Sequence, residues 1–348
     1  MAVLWVAMSG GVDSSVAAAR LVVAGHEVTG VTMQLLPEGE GEGRCCSTDA
    51  VRSAKRVCDQ LGIAHYTLNM RDIFARCVVD AFVEEYASGR TPNPCIECND
   101  RVKFSELLAR ARSAGADALA TGHYARIERD SDGVVWLARG RDVSKDQSYF
   151  LYRMTREQLE HVLFPLGDST KVQIRAEAAS LGLPSATRPE SQEICFVPGE
   201  AGAFVIERSA ATGEPGPVVD EHGVVLGAHR GLARYTIGQR KGLGLAGGPW
   251  YVTAIDADTN RVIVTSRSPA DVTTIELART VWRDAALTSV DAVIRYRAKP
   301  VPARITHTGA GVIELELVHA VSGVAPGQAV VCYSGDRVVG GGVVESTS

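Results

Sequence analysis

The first 120 residues alternate between short apolar runs and amphipathic segments, and this alternation constrains the fold more than any other feature. Val3 to Met8 has the length of a strand, and Ser14 to Ala24 follows with apolar residues at helical spacing. We predict further strands at Val28 to Met33, Ala64 to Leu68 and Ala118 to Thr121, and helices at Asp49 to Gln60, Ile73 to Tyr86 and Val102 to Ala114. This order predicts an α/β domain with a doubly wound parallel sheet, whose ligands bind at the carboxyl ends of the strands.

The turn between the first strand and the first helix contains two adjacent glycines, Gly10 and Gly11. Adjacent glycines let backbone N–H groups converge on an anion at the start of a helix. The glycine spacing fits neither a Walker A loop nor a Rossmann fingerprint, and a tight turn with capping side chains is the simpler alternative. The string from Ser9 to Ser15, however, resembles the signature of the ATP pyrophosphatase superfamily, which splits ATP to AMP and pyrophosphate. That resemblance implies that Asp13 helps to position Mg2+.

Past about residue 200 the helical spacing fades, and short β-branched runs stand between turn signals. The chain has 348 residues, of which 45% are hydrophobic and 22% are charged, so disordered and coiled-coil classes are excluded. The composition changes again near Ser266 to Asp271. We predict an α/β catalytic domain over residues 1–199, followed by two small β-rich domains over residues 200–270 and 271–348.

The first basic residue is Arg20, and no apolar stretch approaches the roughly 18 residues that span a bilayer. We therefore expect a cytoplasmic protein without a membrane segment. In that compartment the eight cysteines are reduced thiols, metal ligands or catalytic groups. The net charge of -5 argues against a uniformly basic surface for nucleic acid but leaves local basic patches open.

Cys98 follows a loop that is stiffened by prolines, and we predict a helix that begins near Asn99. A cysteine at the start of a helix is favoured as a thiolate by the exposed N–H groups and the helix dipole, and Arg101 and Lys103 would add to this effect. Cys95 and Cys98 could instead be half of a zinc site, but the sequence has no second Cys-x-x-Cys or paired-histidine motif. Cys195 alone would be read as a small buried hydrophobic residue.

Taken together, these features resemble the tRNA-specific 2-thiouridylases along essentially the whole chain. That family replaces the C2 oxygen of the wobble uridine of tRNA, at position 34, with sulfur. The resemblance implies a first domain like the adenine nucleotide alpha hydrolases and a last domain that is a tRNA-binding β-barrel. The strings that carry it are Ser9 to Ser15, Cys45-Cys46-Ser47, Gly89 to Asn99, Ala120 to Tyr124, Lys145 to Leu151, Ser191 to Phe196 and Thr236 to Gly244.

By position in these strings, Cys98 matches the nucleophile of the family and Cys195 matches its persulfide-carrying cysteine. The resemblance also implies binding sites for ATP and for tRNA. The ATP-binding residues would be Ala7, Met8, Ser9, Gly10, Gly11, Val12, Asp13, Ser14, Met33 and Gly122. The tRNA-binding residues would be Asn93, Pro94, Cys95, His123, Lys145, Asp146, Gln147, Arg295, Tyr296 and Gln328.

In the implied chemistry, ATP adenylates the O2 atom of the uridine, and the sulfane sulfur on Cys195 attacks C2. Cys98 then attacks the persulfide, or releases hydrogen sulfide from it, and a Cys98–Cys195 disulfide is left for reduction. The sulfur comes from a persulfide donor, which is a cysteine desulfurase or a relay protein. We expect the enzyme to be a monomer.

Cys95 is a departure from the family, because many members have an aspartate there that is a candidate for deprotonating the uridine. With a cysteine at this position, the base is not identified. Cys95, Cys98 and Cys195 could instead hold three irons of a [4Fe-4S] cluster and leave the fourth iron open for sulfide, as in related thiolation enzymes. The sequence leaves both routes open.

Two stretches of the β region, residues 222–255 and 292–313, contain basic residues but no aspartate or glutamate. Aromatic side chains in them could stack on unpaired bases, although solvated strands with core aromatics are the simpler alternative. The basic residues are Arg230, Arg234, Arg240, Lys241, Arg295, Arg297, Lys299 and Arg304, and the aromatic residues are Tyr235, Trp250, Tyr251 and Tyr296.

Two other functions remain open from the sequence. Another ATP pyrophosphatase that acts on RNA or a nucleotide would use an amine nucleophile and would not need paired cysteines. An RNA-binding or sulfur-carrier protein with a degenerate nucleotide loop would not explain the intact Ser9 to Ser15 string.

Overall fold

The computed structural model describes residues 1–37, 48–189, 194–267, 271–309 and 311–348. The chain forms two compact units. The first consists of Met1–Val78, Cys95–Phe196 and Asp336–Val338, and the second of Val79–Pro94, Val197–Gly335 and Val339–Ser348. Among the described residues, no helix has the length and apolar character that crossing a bilayer requires.

A parallel sheet forms the centre of the first unit and confirms the predicted fold. Its strands lie in the order β3-β2-β1-β4-β7, so the direction of winding reverses between β1 and β4. Val6 of β1 pairs with Gly30 on one side and Ala120 on the other. Ligands bind where the winding of such a sheet reverses. The strands are β1 (Val3–Ala7), β2 (Glu27–Gln34), β3 (Ala64–Asn69), β4 (Ala118–Ala120) and β7 (Val162–Leu163).

The helices at Val12–Val23 and Lys171–Ser180 pack apolar faces on these strands and on each other. Val16 and Ile174 lie fully buried in the same core cluster as Val6 of the sheet. Their helices are also joined by an ion pair in which Arg20 Nη2 lies 2.6 Å from Glu177 Oε2. The helices are α1 (Val12–Val23), α2 (Thr48–Leu61), α3 (Arg71–Phe74), α4 (Ala81–Ala87), α5 (Pro94–Glu97), α6 (Leu108–Ser113), α7 (Arg156–Glu160), α8 (Lys171–Ser180) and α9 (Ala201–Arg208).

Two of these helical segments contain π-helical stretches, in which the backbone hydrogen bonds run from i to i+5. Ala75–Asp80 joins α3 to α4, and Cys98–Leu107 joins α5 to α6. The predicted helix start near Asn99 is wrong, because the helical segment begins at Pro94. Proline fits the first position of a helix, where its missing N–H is not needed. Cys98 is therefore one turn inside the helical segment and does not lie at its first residues.

The first unit also contains an antiparallel hairpin that the sequence reading did not predict, β5 (Ala125–Arg129) and β6 (Val135–Arg139). Arg337 pairs with Ala138 of this hairpin. The ring of Trp136 lies between the guanidinium groups of Arg156 and Arg337, at 5.1 and 5.6 Å. These contacts attach residues 336–338 to the first unit.

After residue 200 the second unit forms a helix, α9, where only strands were predicted, so the expectation of an all-β region from residue 200 is wrong there. Phe204 and Val205 of α9 are buried, and this apolar face stabilises the helix. A four-stranded sheet follows in the order β10-β11-β8-β9. Its strands are β8 (Gly216–Asp220), β9 (Val225–His229), β10 (Tyr251–Asp256) and β11 (Arg261–Thr265).

The last part of the second unit is an antiparallel barrel, as predicted. Within the described ranges it has six strands in the order β12-β15-β14-β13-β16-β17, and the pairing of β12 with β17 closes it. Leu277, Leu315 and Val330 are fully buried in these strands. The strands are β12 (Val272–Trp282), β13 (Ser289–Val293), β14 (Val301–Gly309), β15 (Val312–Val321), β16 (Ala329–Ser334) and β17 (Arg337–Thr347).

Candidate active site

The glycine loop between β1 and α1 is held in one conformation by its own hydroxyl groups. Ser14 Oγ accepts a hydrogen bond from the Ser9 N–H at 3.2 Å, and Ser15 Oγ donates to the Gly11 carbonyl at 2.8 Å. Gly10 has φ +71, a conformation that favours glycine, and Ser53 Oγ donates to its carbonyl at 3.0 Å. These bonds fix the loop at the start of α1, which is the position where the sequence predicts an anion site.

Gly122 brings the end of β4 against this loop. A Cβ atom added to Gly122 would lie 2.7 Å from the Ser14 backbone nitrogen, so only glycine allows this approach. Met33 lies near the carboxyl end of β2, at the same edge of the sheet. The structure therefore places the residues predicted to bind ATP, residues 7–14, Met33 and Gly122, at one edge of the sheet beside the point where its winding reverses.

Asp13 is held by two side chains that the sequence reading did not single out. Lys171 Nζ donates to both carboxylate oxygens at 2.7 Å, and Tyr124 Oη donates to Oδ1 at 2.7 Å. Lys171 is the first residue of α8, and its side chain is 9% exposed. A capping box at Thr170 and Gln173 indicates from sequence that a helix starts there. Nothing local in the sequence connects Lys171 with Asp13.

Arg188 supplies a second cation beside the loop. Its Nη1 donates to the Gly10 carbonyl at 3.4 Å and to the Asp49 carbonyl at 3.5 Å. Lys171 and Arg188 thus lie near opposite ends of the loop, one at Asp13 and one at Gly10. Positive charge on both sides fits a ligand with several phosphate groups.

The helical segment around Cys98 is fixed by a buried arginine. Arg153 Nη1 donates to Glu97 Oε1 at 2.6 Å and lies 3.6 Å from Asp100 Oδ2. Burial lowers the pKa of Arg153, but its interactions with Tyr152 and Glu97 outweigh this effect and raise it above the usual value. Burial also raises the pKa of Asp100, which Arg153 only partly offsets. These contacts anchor the turns on both sides of Cys98.

The three cysteines of the proposed chemistry differ in exposure. Cys98 is buried, Cys195 is half-buried and Cys95 is exposed. Phe196, next to Cys195, packs edge-on against Phe74 with ring centroids 5.6 Å apart. Residues 190–193, which include the first half of the Ser191 to Phe196 string, lie outside the described residues, as do Cys45, Cys46 and Ser47.

The structure gives no support for a metal cluster on these cysteines. In the described part of the chain, no three His, Cys, Asp or Glu side chains are gathered so that they could hold a metal ion. Cys95, Cys98 and Cys195 all lie in that part, so the donor set of a [4Fe-4S] cluster is not assembled. We therefore derive no step through a cluster.

His123, predicted to contact tRNA, is enclosed in the first unit. Its Nδ1 shares a 2.6 Å hydrogen bond with Thr121 Oγ1, and the rings of Phe104 and Phe164 lie 5.7 and 6.0 Å away. Burial lowers the pKa of His123 well below its usual value. The ring is therefore neutral at physiological pH.

The residues 145–147 brace the loop before Ser148–Leu151. Asp146 is buried and accepts hydrogen bonds from the N–H groups of Gly140 and Ser148 at 2.9 and 3.1 Å. Gln147 Oε1 accepts from the Tyr124 N–H at 3.0 Å, and Lys145 is half-buried. These contacts connect the loop with Tyr124, and through it with Asp13.

The remaining predicted tRNA contacts lie in the second unit. The turn at residues 325–328 contacts the segment before Asn93, because the Thr91 N–H donates to the Pro326 carbonyl at 2.9 Å. Gln328 Oε1 accepts from the Ala325 N–H at 3.3 Å and braces this turn. The other predicted tRNA contacts of this unit differ in exposure. Asn93 and Tyr296 are half-buried, Pro94 is buried and Arg295 is exposed.

The basic side chains of residues 222–255 are exposed to solvent. They are Arg230, Arg234, Arg240 and Lys241. Trp250 and Tyr251 are half-buried, and Arg240 lies 5.9 Å from the ring of Tyr251. Tyr235 was predicted as a stacking side chain, but it is buried in the core with Val252 and Val262. Arg240 and Trp250 line a cavity of about 400 Å³.

Comparison with known proteins assigns each part of the chain to a family of domains. Residues 2–199 match the "tRNA methyl transferase HUP domain", residues 203–266 the "tRNA methyl transferase PRC-barrel domain" and residues 272–344 the "Aminomethyltransferase beta-barrel domain". Among solved structures, an NMN synthetase from Francisella tularensis is 18% identical over 57% of this chain and 68% of its own, with a TM-score of 0.34, which is too low to bear on the fold.

Full-length relatives are much more similar. A protein of Moorella thermoacetica named tRNA-specific 2-thiouridylase MnmA is 51% identical, and the match covers 99% of each chain. Proteins with the same name from Geobacter metallireducens and Heliobacterium modesticaldum are 48% and 50% identical. These matches cover 98% and 97% of this chain and 96% and 91% of the relatives.

Proposed function

Because this chain belongs to the tRNA-specific 2-thiouridylase family, we propose that it replaces the O2 atom of the wobble uridine, position 34 of tRNA, with sulfur. The relatives confirm the family that the sequence strings indicated. The observation that carries the proposal is the loop of residues 9–14, preformed at the start of α1 and contacted by Gly122. Such a loop suits the pyrophosphate portion of ATP.

In the first step, the O2 atom of the uridine attacks the α-phosphorus of ATP, and pyrophosphate leaves. The product is an adenylated uridine whose AMP is a better leaving group than the original oxygen. The loop holds the phosphates through backbone N–H groups, and Lys171 and Arg188 lie beside it to offset their charge. Mg2+ on ATP would bind the carboxylate of Asp13 together with phosphate oxygens, which are the hard ligands it prefers, and would neutralise phosphate charge.

In the second step, the outer sulfur of a persulfide on Cys195 attacks C2 of the uridine, and AMP leaves. The thiolate of Cys98 then attacks the Cys195 sulfur, which forms a Cys98–Cys195 disulfide and releases the 2-thiouridine. Alternatively, Cys98 first releases hydrogen sulfide from the persulfide, and that sulfide attacks C2. Either route leaves a disulfide that an external thiol must reduce.

The partners and the domain roles follow from this reaction. We propose that residues 1–199 are catalytic, that residues 200–270 form the central domain and that residues 271–348 bind tRNA through the barrel. The exposed cations of residues 222–255 add a second RNA-binding surface. The sulfur reaches Cys195 from a cysteine desulfurase or a relay protein. We propose a monomer acting in the cytoplasm.

The domain descriptions name a methyl transferase, whereas the full-length relatives are named 2-thiouridylases. A methyl transfer would need neither ATP hydrolysis nor paired cysteines. The anion-binding loop therefore favours the thiolation.

The test is incubation of the purified chain with ATP, a persulfide donor, a thiol reductant and unmodified tRNA. We expect 2-thiouridine by mass spectrometry of the digested tRNA, with AMP and pyrophosphate formed in equal amounts. Methylated uridine without AMP would favour the methyl transferase. Absence of 2-thiouridine under both aerobic and anaerobic conditions would rule out the proposal.

A further inference from the structure

Lys171 places a buried ammonium beside the phosphate loop, and its role in the reaction is not assigned by the sequence motifs. Its Nζ lies 2.7 Å from each oxygen of the Asp13 carboxylate, and its side chain is 9% exposed. A buried ion pair contributes little net stability, because removing both charges from water offsets their attraction. An ammonium beside a loop that suits phosphate is also placed to form charge-assisted hydrogen bonds with a phosphate ligand.

We propose that Lys171 is an ATP ligand that exchanges partners: its ammonium binds Asp13 in the nucleotide-free protein and binds the β- and γ-phosphates in the ATP complex. This inference rests on the ATP-dependent function proposed above. Asp13 is the second residue of α1, directly after the loop, so an ammonium at its carboxylate is already next to the phosphate site. Two phosphate groups carry more negative charge than one carboxylate and compete for the ammonium.

The surroundings of Lys171 allow its side chain to move while its backbone remains in place. The capping box of Thr170 and Gln173 fixes the start of α8, and Asp142 Oδ2 accepts a 2.9 Å hydrogen bond from the Lys171 N–H. A lysine has a flexible four-carbon stem and three donors, so the ammonium can change partner without moving the helix. Tyr124 Oη continues to hold Asp13 Oδ1 after the ammonium leaves.

The exchange predicts a specific pattern of nucleotide affinities, since AMP lacks the two phosphates that Lys171 would bind. We propose titration calorimetry on the full-length chain with ATP and with AMP, in the absence of RNA. Lys171→Met should weaken ATP binding about tenfold or more and change AMP binding less than about twofold. Lys171→Arg retains the charge and should recover part of the ATP affinity. Lys171→Gln replaces the Met variant if that variant does not fold.

Glu177→Gln is the matched control. Glu177 lies on the same helix α8 and pairs with Arg20 of α1 at 2.6 Å, outside the loop. The variant removes another ion pair between the same two helices, and we expect both nucleotide affinities to remain within about twofold of wild type. A loss shared by ATP and AMP in Lys171→Met would mean a structural role and would overturn the inference, as would unchanged ATP affinity.

The binding measurement also separates this inference from the proposed function. An ATP-specific loss in a protein that makes no 2-thiouridine would support the ligand role of Lys171 and overturn the thiolation. Unchanged ATP affinity in Lys171→Met, with active wild-type thiolation, would overturn only the role of Lys171.

Discussion

Gly10 lies so close to Ala50 that a side chain cannot be placed between them: a Cβ atom added to Gly10 would contact the Ala50 carbonyl and lie 3.0 Å from its Cα. An alanine at position 10 would be strained by this contact and also by its backbone, because φ at Gly10 is +71. We expect Gly10→Ala to shift the loop and to weaken ATP binding more than about tenfold, by calorimetry.

Gly25→Ala, after the end of α1 and outside the loop, is the control for this substitution. Gly25 also has a positive φ, +79, and no atom lies within 4 Å of an added Cβ. Its ATP affinity should stay within about threefold of wild type, which corresponds to less than about 1 kcal/mol. Normal ATP binding by Gly10→Ala would contradict the role of the loop.

Substitution of either cysteine of the proposed reaction, Cys98 or Cys195, should separate adenylation from sulfur transfer. We expect Cys98→Ser and Cys195→Ser to abolish 2-thiouridine, because a hydroxyl neither carries a persulfide nor exchanges with a disulfide. Pyrophosphate release that depends on tRNA should continue in the first turnover, because adenylation precedes the cysteine chemistry in the proposed reaction. Mass spectrometry of tRNA and a pyrophosphate assay measure the two steps. Cys77→Ser, at a half-buried thiol of Ala75–Asp80, should retain both activities.

His123 should make the free energy of unfolding decrease as the pH falls below neutrality. Burial lowers its pKa well below 6.5, so the folded state keeps the ring neutral while the unfolded chain takes up a proton below that pH. The contribution of His123 is complete above pH 6.5 and decreases as the pH falls, by up to about 1.4 kcal/mol per pH unit. Urea unfolding at pH 7.5, 6.5 and 5.5 measures this loss.

His123→Asn should be less stable at pH 7.5, because the hydrogen bond with Thr121 and the ring contacts are changed, but its stability should vary less between pH 6.5 and 5.5. His222→Gln, in an exposed turn, is the control for removal of a histidine. An unchanged pH dependence in His123→Asn would show that another group causes the acid sensitivity.

The exposed cations Arg240 and Lys241 should contribute to tRNA affinity through the phosphate backbone. We expect the double variant Arg240→Gln, Lys241→Gln to reduce the slope of log K against log salt by roughly 0.7 to 0.9 per removed cation. Filter binding of unmodified tRNA from about 50 to 200 mM salt covers the useful range. Arg261→Gln, an exposed cation on β11 outside the basic stretch, should leave the slope unchanged. If the double variant keeps the salt dependence of the wild-type protein, this surface does not take part in RNA binding.

The parts of the site that depend on adjacent residues were predictable from the sequence. The loop after β1 combines a strand, two glycines and a helix start within a dozen residues, so its conformation is local. The β-rich character of the last domain was expected from its β-branched runs and turn signals, whereas the barrel was expected from the family resemblance.

The features of the fold and the site that were not predicted from the sequence depend on tertiary contacts. Lys171 meets Asp13 across 158 residues, and no spacing rule connects them. Helix α9 was not predicted because its segment is too short to show a clear helical periodicity. Its stability comes from the burial of Phe204. Tyr235 was taken for a surface aromatic because strands with one exposed face do not reveal from sequence which face is covered.

The π-helical stretch Cys98–Leu107 sets the direction in which Cys98 faces. An α-helix turns about 100° per residue, whereas hydrogen bonds from i to i+5 require more residues in each turn. The azimuth of Cys98 about the helix axis therefore differs from the one that the same ten residues would give in α-helical form. A single-residue deletion within this stretch would change the winding between Cys98 and α6, and would therefore rotate the sulfur relative to α6.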